Sequence, residues 1–123
     1  MSRIAEKFED YRNRYQNIKL ERDAEGVLTM TFHTKGGGFV WSALAHEELG
    51  YCFADVSADR DNKVVIMTGT GANYCTDIDA ASFTLSSAGD WDQIIFEGRR
   101  LLMNLLDIEV PVISAINGPA RIH

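Results

Sequence analysis

The chain is 123 residues long and 46% hydrophobic, which suits one small domain with a buried core and no more. Its 12 Lys+Arg against 18 Asp+Glu give a net charge of −6, and the longest basic cluster is the Arg99-Arg100 pair, so nucleic acid is not an expected partner. No stretch approaches the ~20 apolar residues of a membrane span, and the first ten residues lack the apolar run of an export signal; the expectation is a soluble, cytoplasmic protein with no membrane partner.

Residues 1–14 are charged, with Phe8 and Tyr11 three apart and Tyr15 four further on. That spacing predicts a short amphipathic helix, an arm docked on a body formed by residues 15–123. Ile18 and Leu20 then alternate with Lys19 and Glu21, Asp23 to Gly26 supply a turn, and Val27, Thr29, Thr31 and His33 share one face of a second strand, giving a β-hairpin.

After the glycine-rich break at 34–38 and Trp41, a helical stripe runs through Ala45, Leu49, Cys52, Phe53 and Val56, with Ser42 as N-cap and an end near Asp59 to Asn62. Residues 63–68 form a near-continuous apolar run, predicting a central strand covered on both faces. A loop with Gly69 and Gly71 follows, then a short helix over part of 77–88 bracketed by Asp77 and Asp79 as caps, and a mobile link at 86–89. Asp90 with Gln93 reads as the capping box of a second long helix whose Ile94, Ile95, Leu101, Leu102 and Leu105 face inward. Pro111 stops it, residues 112–116 predict a second buried strand, and Asn117-Gly118-Pro119 a turn. Strands alternating with helices define an α/β layered fold. Cys52 and Cys75 stand apart from each other and from any grouped His, so neither a disulfide framework nor a zinc site is expected.

Ligands in such sheets gather beyond the carboxyl ends of the strands, which singles out the glycine loops after Thr68 and Ile116. Neither loop has the Lys and spacing of a P-loop or the GxGxxG of a dinucleotide site. Of the histidines, His33 reads as a solvated or loop-bonded side chain. His46 lies one turn after Ser42 at a helix N-terminus, which favours a neutral ring able to donate to a carbonyl oxygen. His123 follows the second turn, and its position alone leaves open whether it enters the same crevice. Trp41 and Phe83 also read as plain core aromatics, with Trp41 functional only if its indole N–H faces a pocket.

Residues 63–71, the Tyr74-Cys75-Thr76-Asp77-Ile78-Asp79 segment and residues 110–120, taken in this order and spacing, resemble the crotonase (enoyl-CoA hydratase/isomerase) superfamily. The resemblance implies a spiral of ββα units of which this chain is the N-terminal portion, and two backbone N–H groups, one per glycine loop, that hold a carbonyl oxygen as it becomes an enolate. Asp77 and His123 stand where CoA-dependent members carry glycines. Those departures, with Trp41, the segment 45–49 and the segment 91–98, look like the β-diketone hydrolase branch, the 6-oxocamphor-hydrolase-like proteins.

That branch hydrolyses a carbon–carbon bond of a cyclic β-diketone by a retro-Claisen reaction, with no CoA, cofactor or metal. The resemblance implies catalytic roles for Trp41, His46 and His123, substrate-binding roles for Phe83 and Thr76, a small cyclic diketone as partner, and a homotrimer or dimer of trimers when full length. The water-activating His, its Asp partner and a further acid come from beyond the equivalent of His123 in that branch, so the chain is expected to lack a C-terminal half and to be inactive alone. An enoyl-CoA hydratase/isomerase-type enzyme and a non-catalytic assembly subunit are the alternatives.

Overall fold

The computed structural model describes residues 4–122. Helix α1 (Phe8–Tyr11) precedes strands β1 (Ile18–Arg22), β2 (Val27–Phe32) and β3 (Val40–Trp41), helix α2 (Ala43–Ala58), strands β4 (Val64–Thr68) and β5 (Asp77–Ile78), a 3₁₀ turn at Ala80–Ser82, helix α3 (Ala88–Leu106) and strand β6 (Val112–Ala115).

The main sheet has the order β1-β2-β4-β6. The hairpin β1–β2 is antiparallel, with Ile18 opposite Phe32, whereas β2–β4 and β4–β6 are parallel. Parallel neighbours require crossovers; α2 supplies the first and α3 the second. Leu28, Met30, Val65 and Met67 point from the sheet into one core with Leu49, Phe53 and Val56 of α2. Each such side chain is worth about 1.5–3 kcal/mol of transfer free energy when fully buried.

Alternation also corrects two expectations. In β4 only Val65 and Met67 are fully buried while Val64, Ile66 and Thr68 are half-buried, so the strand is fully covered on one face alone. Strand β6 is a mostly exposed edge, with Ile113 51% exposed, because among the described residues no strand pairs with its far side.

Helix α2 starts where expected: the Ala45 N–H donates to Ser42 Oγ at 3.2 Å. Helix α3 starts earlier than the Asp90–Gln93 reading implies. Its N-cap is Ser87, which accepts from the Asp90 N–H at 3.1 Å, while the Asp90 carboxylate accepts from the Ser86 and Ser87 amides, each at 3.0 Å. The capping box is therefore Ser87–Asp90, and those hydrogen bonds, the Ser86 amide foremost, hold the Asp90 carboxyl below its usual range. Gln93 instead donates to Glu97.

No residue of α3 is fully buried. Leu101 and Leu105 pack against the core, but Ile95 and Leu102 are 67% and 61% exposed, so the expected inward face is only half used. The predicted short helix at 77–88 is the 3₁₀ turn, preceded by β5; Asp77 is a strand residue and Asp79 precedes the turn without a side-chain capping bond.

The arm docks on α2 through three carboxylates. Tyr11 donates to Asp59 at 2.7 Å, Arg14 to Asp55 at 2.8 Å, and the Gln16 and Asn17 amides to Glu48 at 2.7 and 3.0 Å. Tyr15 also donates to Asp55. Burial alone would raise the Asp59 carboxyl, but hydrogen bonds from Tyr11, the Asp61 amide and Arg22 outweigh it and hold it below its usual range. No described helix is long and apolar enough to cross a membrane.

Candidate functional site

The small parallel pair β3–β5 places Trp41 opposite Ile78, and the Asp79 amide extends the pairing by donating to the Trp41 carbonyl at 2.8 Å. Ser82 Oγ then accepts from the Ala43 amide at 2.9 Å, tying the 3₁₀ turn to the start of α2. Two consequences follow from these local bonds. Trp41 is buried beside the first turn of α2, and Phe83 is brought alongside His46, one turn into that helix.

Six rings form a continuous file. Tyr74 packs edge-on to Phe32 at 6.0 Å, Phe32 against Phe39 at 5.6 Å, Phe39 against Trp41 at 6.1 Å, Trp41 against His46 at 5.8 Å, and His46 against Phe83 at 6.1 Å between centroids. The file connects the first glycine loop to the head of α2. Beside it lies a cleft of about 560 Å³, bounded by Phe32, Phe39, Trp41 and His46 on one side and by Gly98, Leu101, Leu102 and Leu105 of α3 on the other. The lining is apolar apart from His46, Tyr74 and Cys75, with no Lys or Arg among its residues.

His46 is the polar feature of this wall. Its Nδ1 lies 3.0 Å from Oε2 of Glu97 on α3, and the two side chains are only 12% and 14% exposed. The second carboxylate oxygen of Glu97 accepts from Gln93 at 2.7 Å. A carboxylate is acceptor-only, so the shared proton sits on Nδ1, and a neutral ring then presents Nε2 as a bare lone pair. The expected neutral donor is thus replaced by a group that accepts at Nε2 when neutral and donates there only as imidazolium. This edge of the ring packs against α3, where a Cβ built on Gly98 would lie 3.4 Å from Nε2.

The two glycine loops lie side by side, bridged between Cys75 and Ala120. The Tyr74 and Cys75 amides donate to the Pro119 carbonyl at 2.9 and 3.3 Å, and the Arg121 and Ile122 amides to the Cys75 carbonyl at 2.9 and 3.2 Å. These four amides hold the loops together and are not aimed at a ligand oxygen. The contact leaves no room for side chains: a Cβ on Gly118 would fall 1.9 Å from the Ala72 carbonyl oxygen. Burial pushes the Tyr74 phenol and the Cys75 thiol up, with a hydrogen bond to Ser114 acting the other way on Tyr74.

Of the residues singled out from sequence, Trp41, His46 and Phe83 come together. Thr76 is half-buried just past Cys75 and is not a lining residue of the cleft. His123 lies outside the described residues. His33 is loop-bonded, its Nδ1 accepting from the Gly36 amide at 2.9 Å. Glu97 was given no role by sequence reasoning; the only signal was its place in a segment that resembles the hydrolase branch. Among the described residues no group of His, Cys, Asp and Glu could hold a metal ion, and Cys52 and Cys75 are separate buried thiols.

A mixed sheet with parallel crossovers and an apolar cleft walled by its two crossover helices defines an α/β domain. A family model described as enoyl-CoA hydratase/isomerase matches residues 22–121, and the chain belongs to that family, the crotonase superfamily. Among solved structures it is similar to a β-diketone hydrolase from the cyanobacterium Anabaena sp. PCC 7120, bound to (S)-3-oxocyclohexyl acetic acid. Identity there is 43% and the TM-score 0.90, over 93% of this chain and 46% of that one. An enoyl-CoA hydratase/isomerase from Mycobacterium paratuberculosis is 20% identical with TM-score 0.76, over 85% of this chain and 43% of that one. An enoyl-CoA hydratase/carnithine racemase from Magnetospirillum magneticum is 28% identical with TM-score 0.71, over 84% and 39%. The chain thus spans less than half the length of each of these structures. No curated protein matches it.

Proposed function

We propose that this chain forms the cleft of a carbon–carbon bond hydrolase that opens a cyclic β-diketone with water in a retro-Claisen reaction, without CoA. The observation that carries this reading is the 43% identity to the Anabaena β-diketone hydrolase, against 20% and 28% for the two enoyl-CoA relatives. The cleft agrees with it chemically. A lining free of Lys and Arg suits an uncharged carbocyclic diketone.

In this reading the ring body lies against Phe32, Phe39 and Trp41, and one carbonyl faces the edge formed by Trp41 and His46. Water adds to a carbonyl carbon, the adjacent carbon–carbon bond breaks, and its electron pair leaves as an enolate that needs electrostatic stabilisation. Phe83 keeps the His46 ring in place, and Thr76 and His123 take their roles by resemblance to the branch. Assembly into trimers or dimers of trimers and a cytoplasmic setting belong to the same reading.

The test is direct. The full-length protein is incubated with a cyclic 1,3-diketone and with an enoyl-CoA thioester, and the products are measured. Diketone opening without thioester turnover is expected; the reverse would replace this reading with a hydratase or isomerase activity.

A further inference from the structure

The cleft is apolar along most of its wall, yet one lining residue carries a hydroxyl that packing does not require. Tyr74 lines it beside Phe32, edge-on at 6.0 Å, and a phenylalanine would fill that contact equally well. A hydroxyl set in an apolar wall costs free energy unless it finds a hydrogen-bond partner. Its neighbour within the chain is Ser114 of β6, whose hydroxyl acts on the phenol oxygen as a donor. Ser114 lies opposite Met67, another lining residue, and two positions after the core-packed Val112, so it is on the face of β6 that turns to the core. A phenol oxygen that accepts from Ser114 still has its own O–H to donate.

We propose that Tyr74 is a specificity-determining residue whose phenol donates a hydrogen bond to a further, uncharged oxygen of the substrate, carried on the ring body away from the reacting diketone; this rests on the diketone-hydrolase reading. Three features support it. The position is fixed from the backbone, since the Tyr74 amide donates to the Pro119 carbonyl at 2.9 Å and Cys75 bridges to Ala120. A donor held in this way loses little freedom on binding. The phenol is also neutral, because burial pushes it above the ordinary tyrosine range.

The third feature is its place in the file of rings, where Phe32, Phe39 and Trp41 stand between Tyr74 and His46. The carbonyls of a 1,3-diketone have a single carbon between them. A molecule with one carbonyl at the Trp41–His46 edge therefore reaches Tyr74 through a substituent. With no Lys or Arg in the lining to hold a carboxylate, that substituent is an ether, a hydroxyl or a ketone.

The experiment compares matched 5-substituted cyclohexane-1,3-diones on the full-length protein. One set carries a methoxyalkyl chain and the other the alkyl chain of the same length, over a short series of lengths, and kcat and KM for ring opening are measured. Wild type is expected to favour the ether by about three- to tenfold in kcat/KM at the length that reaches Tyr74, the worth of a neutral hydrogen bond. The difference should fall in KM, since the contact is the same before and during the reaction. In Tyr74→Phe the ether-to-alkyl ratio should fall to about one, whatever happens to the absolute rates. Ser114→Ala, which leaves the phenol in place, should keep the preference. A hydroxyl pair that serves only to tie the loop to β6 would leave the ratio unmoved in both variants and overturn the inference. Equal use of ether and alkyl substrates by wild type at every length would also overturn it, and that comparison needs no variant to fold. In either case diketone opening itself would stand. Absence of ring opening by wild type on all of these substrates would overturn the proposed function and this inference with it.

Discussion

Asn117 and Gly69 are joined across the two strand-end loops: the Gly69 N–H donates to Asn117 Oδ1 at 3.0 Å, while Nδ2 of the same carboxamide donates to the carbonyls of Gly71 at 2.9 Å and Asn73 at 3.1 Å. One side chain from the second loop thus satisfies three backbone groups of the first. Asn117→Ala should destabilise the chain by about 0.5–1.5 kcal/mol, the net worth of a hydrogen bond whose partners can turn to water. Asn117→Asp should cost more, because it sets an acceptor against two carbonyls. Urea unfolding of the two variants should rank them in that order; equal midpoints would show that the loops are held by other means.

Gly118→Ala is expected to be more damaging than either. A Cβ 1.9 Å from the Ala72 carbonyl oxygen cannot be absorbed by rotating a side chain, so the loops must part. Destabilisation of about 1–3 kcal/mol is expected from overpacking of this kind, with disturbed amide signals at Tyr74 and Cys75. Gly36→Ala is the control for bulk alone, since a Cβ there meets nothing within 4 Å, although its positive φ of 82° adds backbone strain of its own.

Acid should loosen the arm. The Asp59 carboxyl is held below its usual range, so it contributes stability that is fully present above the unfolded-state value of about 3.9 and is lost as pH falls through the lower folded value. Between pH 5 and pH 2 the unfolding free energy of wild type should therefore drop more than that of Asp59→Asn. Parallel pH dependences in the two proteins would exclude this origin.

On the diketone-hydrolase reading proposed above, Trp41 is expected to act on binding and on chemistry together. Trp41→Phe keeps most of the apolar surface but removes the indole donor, so the full-length enzyme should lose kcat/KM for a cyclic diketone by about tenfold or more, as for loss of a donor in a low-dielectric site. Steady-state kinetics at saturating and limiting substrate would decide it, and an unchanged kcat/KM would confine Trp41 to packing.

The exposed apolar stripe of α3 and β6 carries a further expectation. Ile95, Leu102 and Leu106 are 67%, 61% and 76% exposed, and Ile113 and Ile116 51% and 60%. Surface of this kind drives association. The 123-residue polypeptide should self-associate at micromolar concentration, and a double Ile95→Glu, Leu106→Glu variant should scatter less light; a monodisperse wild type would contradict this.

Much of the fold was legible because its signals are local. The period-2 alternation of Ile18 and Leu20 and of Val27, Thr29 and Thr31, the helical stripe from Ala45 to Val56 and the Ser42 cap each depend on neighbouring residues, and the structure has all of them. Errors arose where identity of type hid environment. Ile95 and Leu102 have the spacing of a buried face, but burial depends on what lies opposite. Ser87 and Asp90 compete with Asp90 and Gln93 as capping pairs, and only backbone geometry separates them. In the site, Trp41, His46 and Phe83 could be grouped through family resemblance. Glu97 could not be assigned a role, because its pairing with His46 joins positions 51 apart in sequence and depends on how α2 and α3 cross.

That crossing has a broader implication. The helix that presents His46 to the cleft also receives the arm through Glu48, Asp55 and Asp59. The arm and the cleft wall therefore share one rigid element, so sequence changes near Tyr11 or Arg14 reach the cleft through α2 without altering a single lining residue.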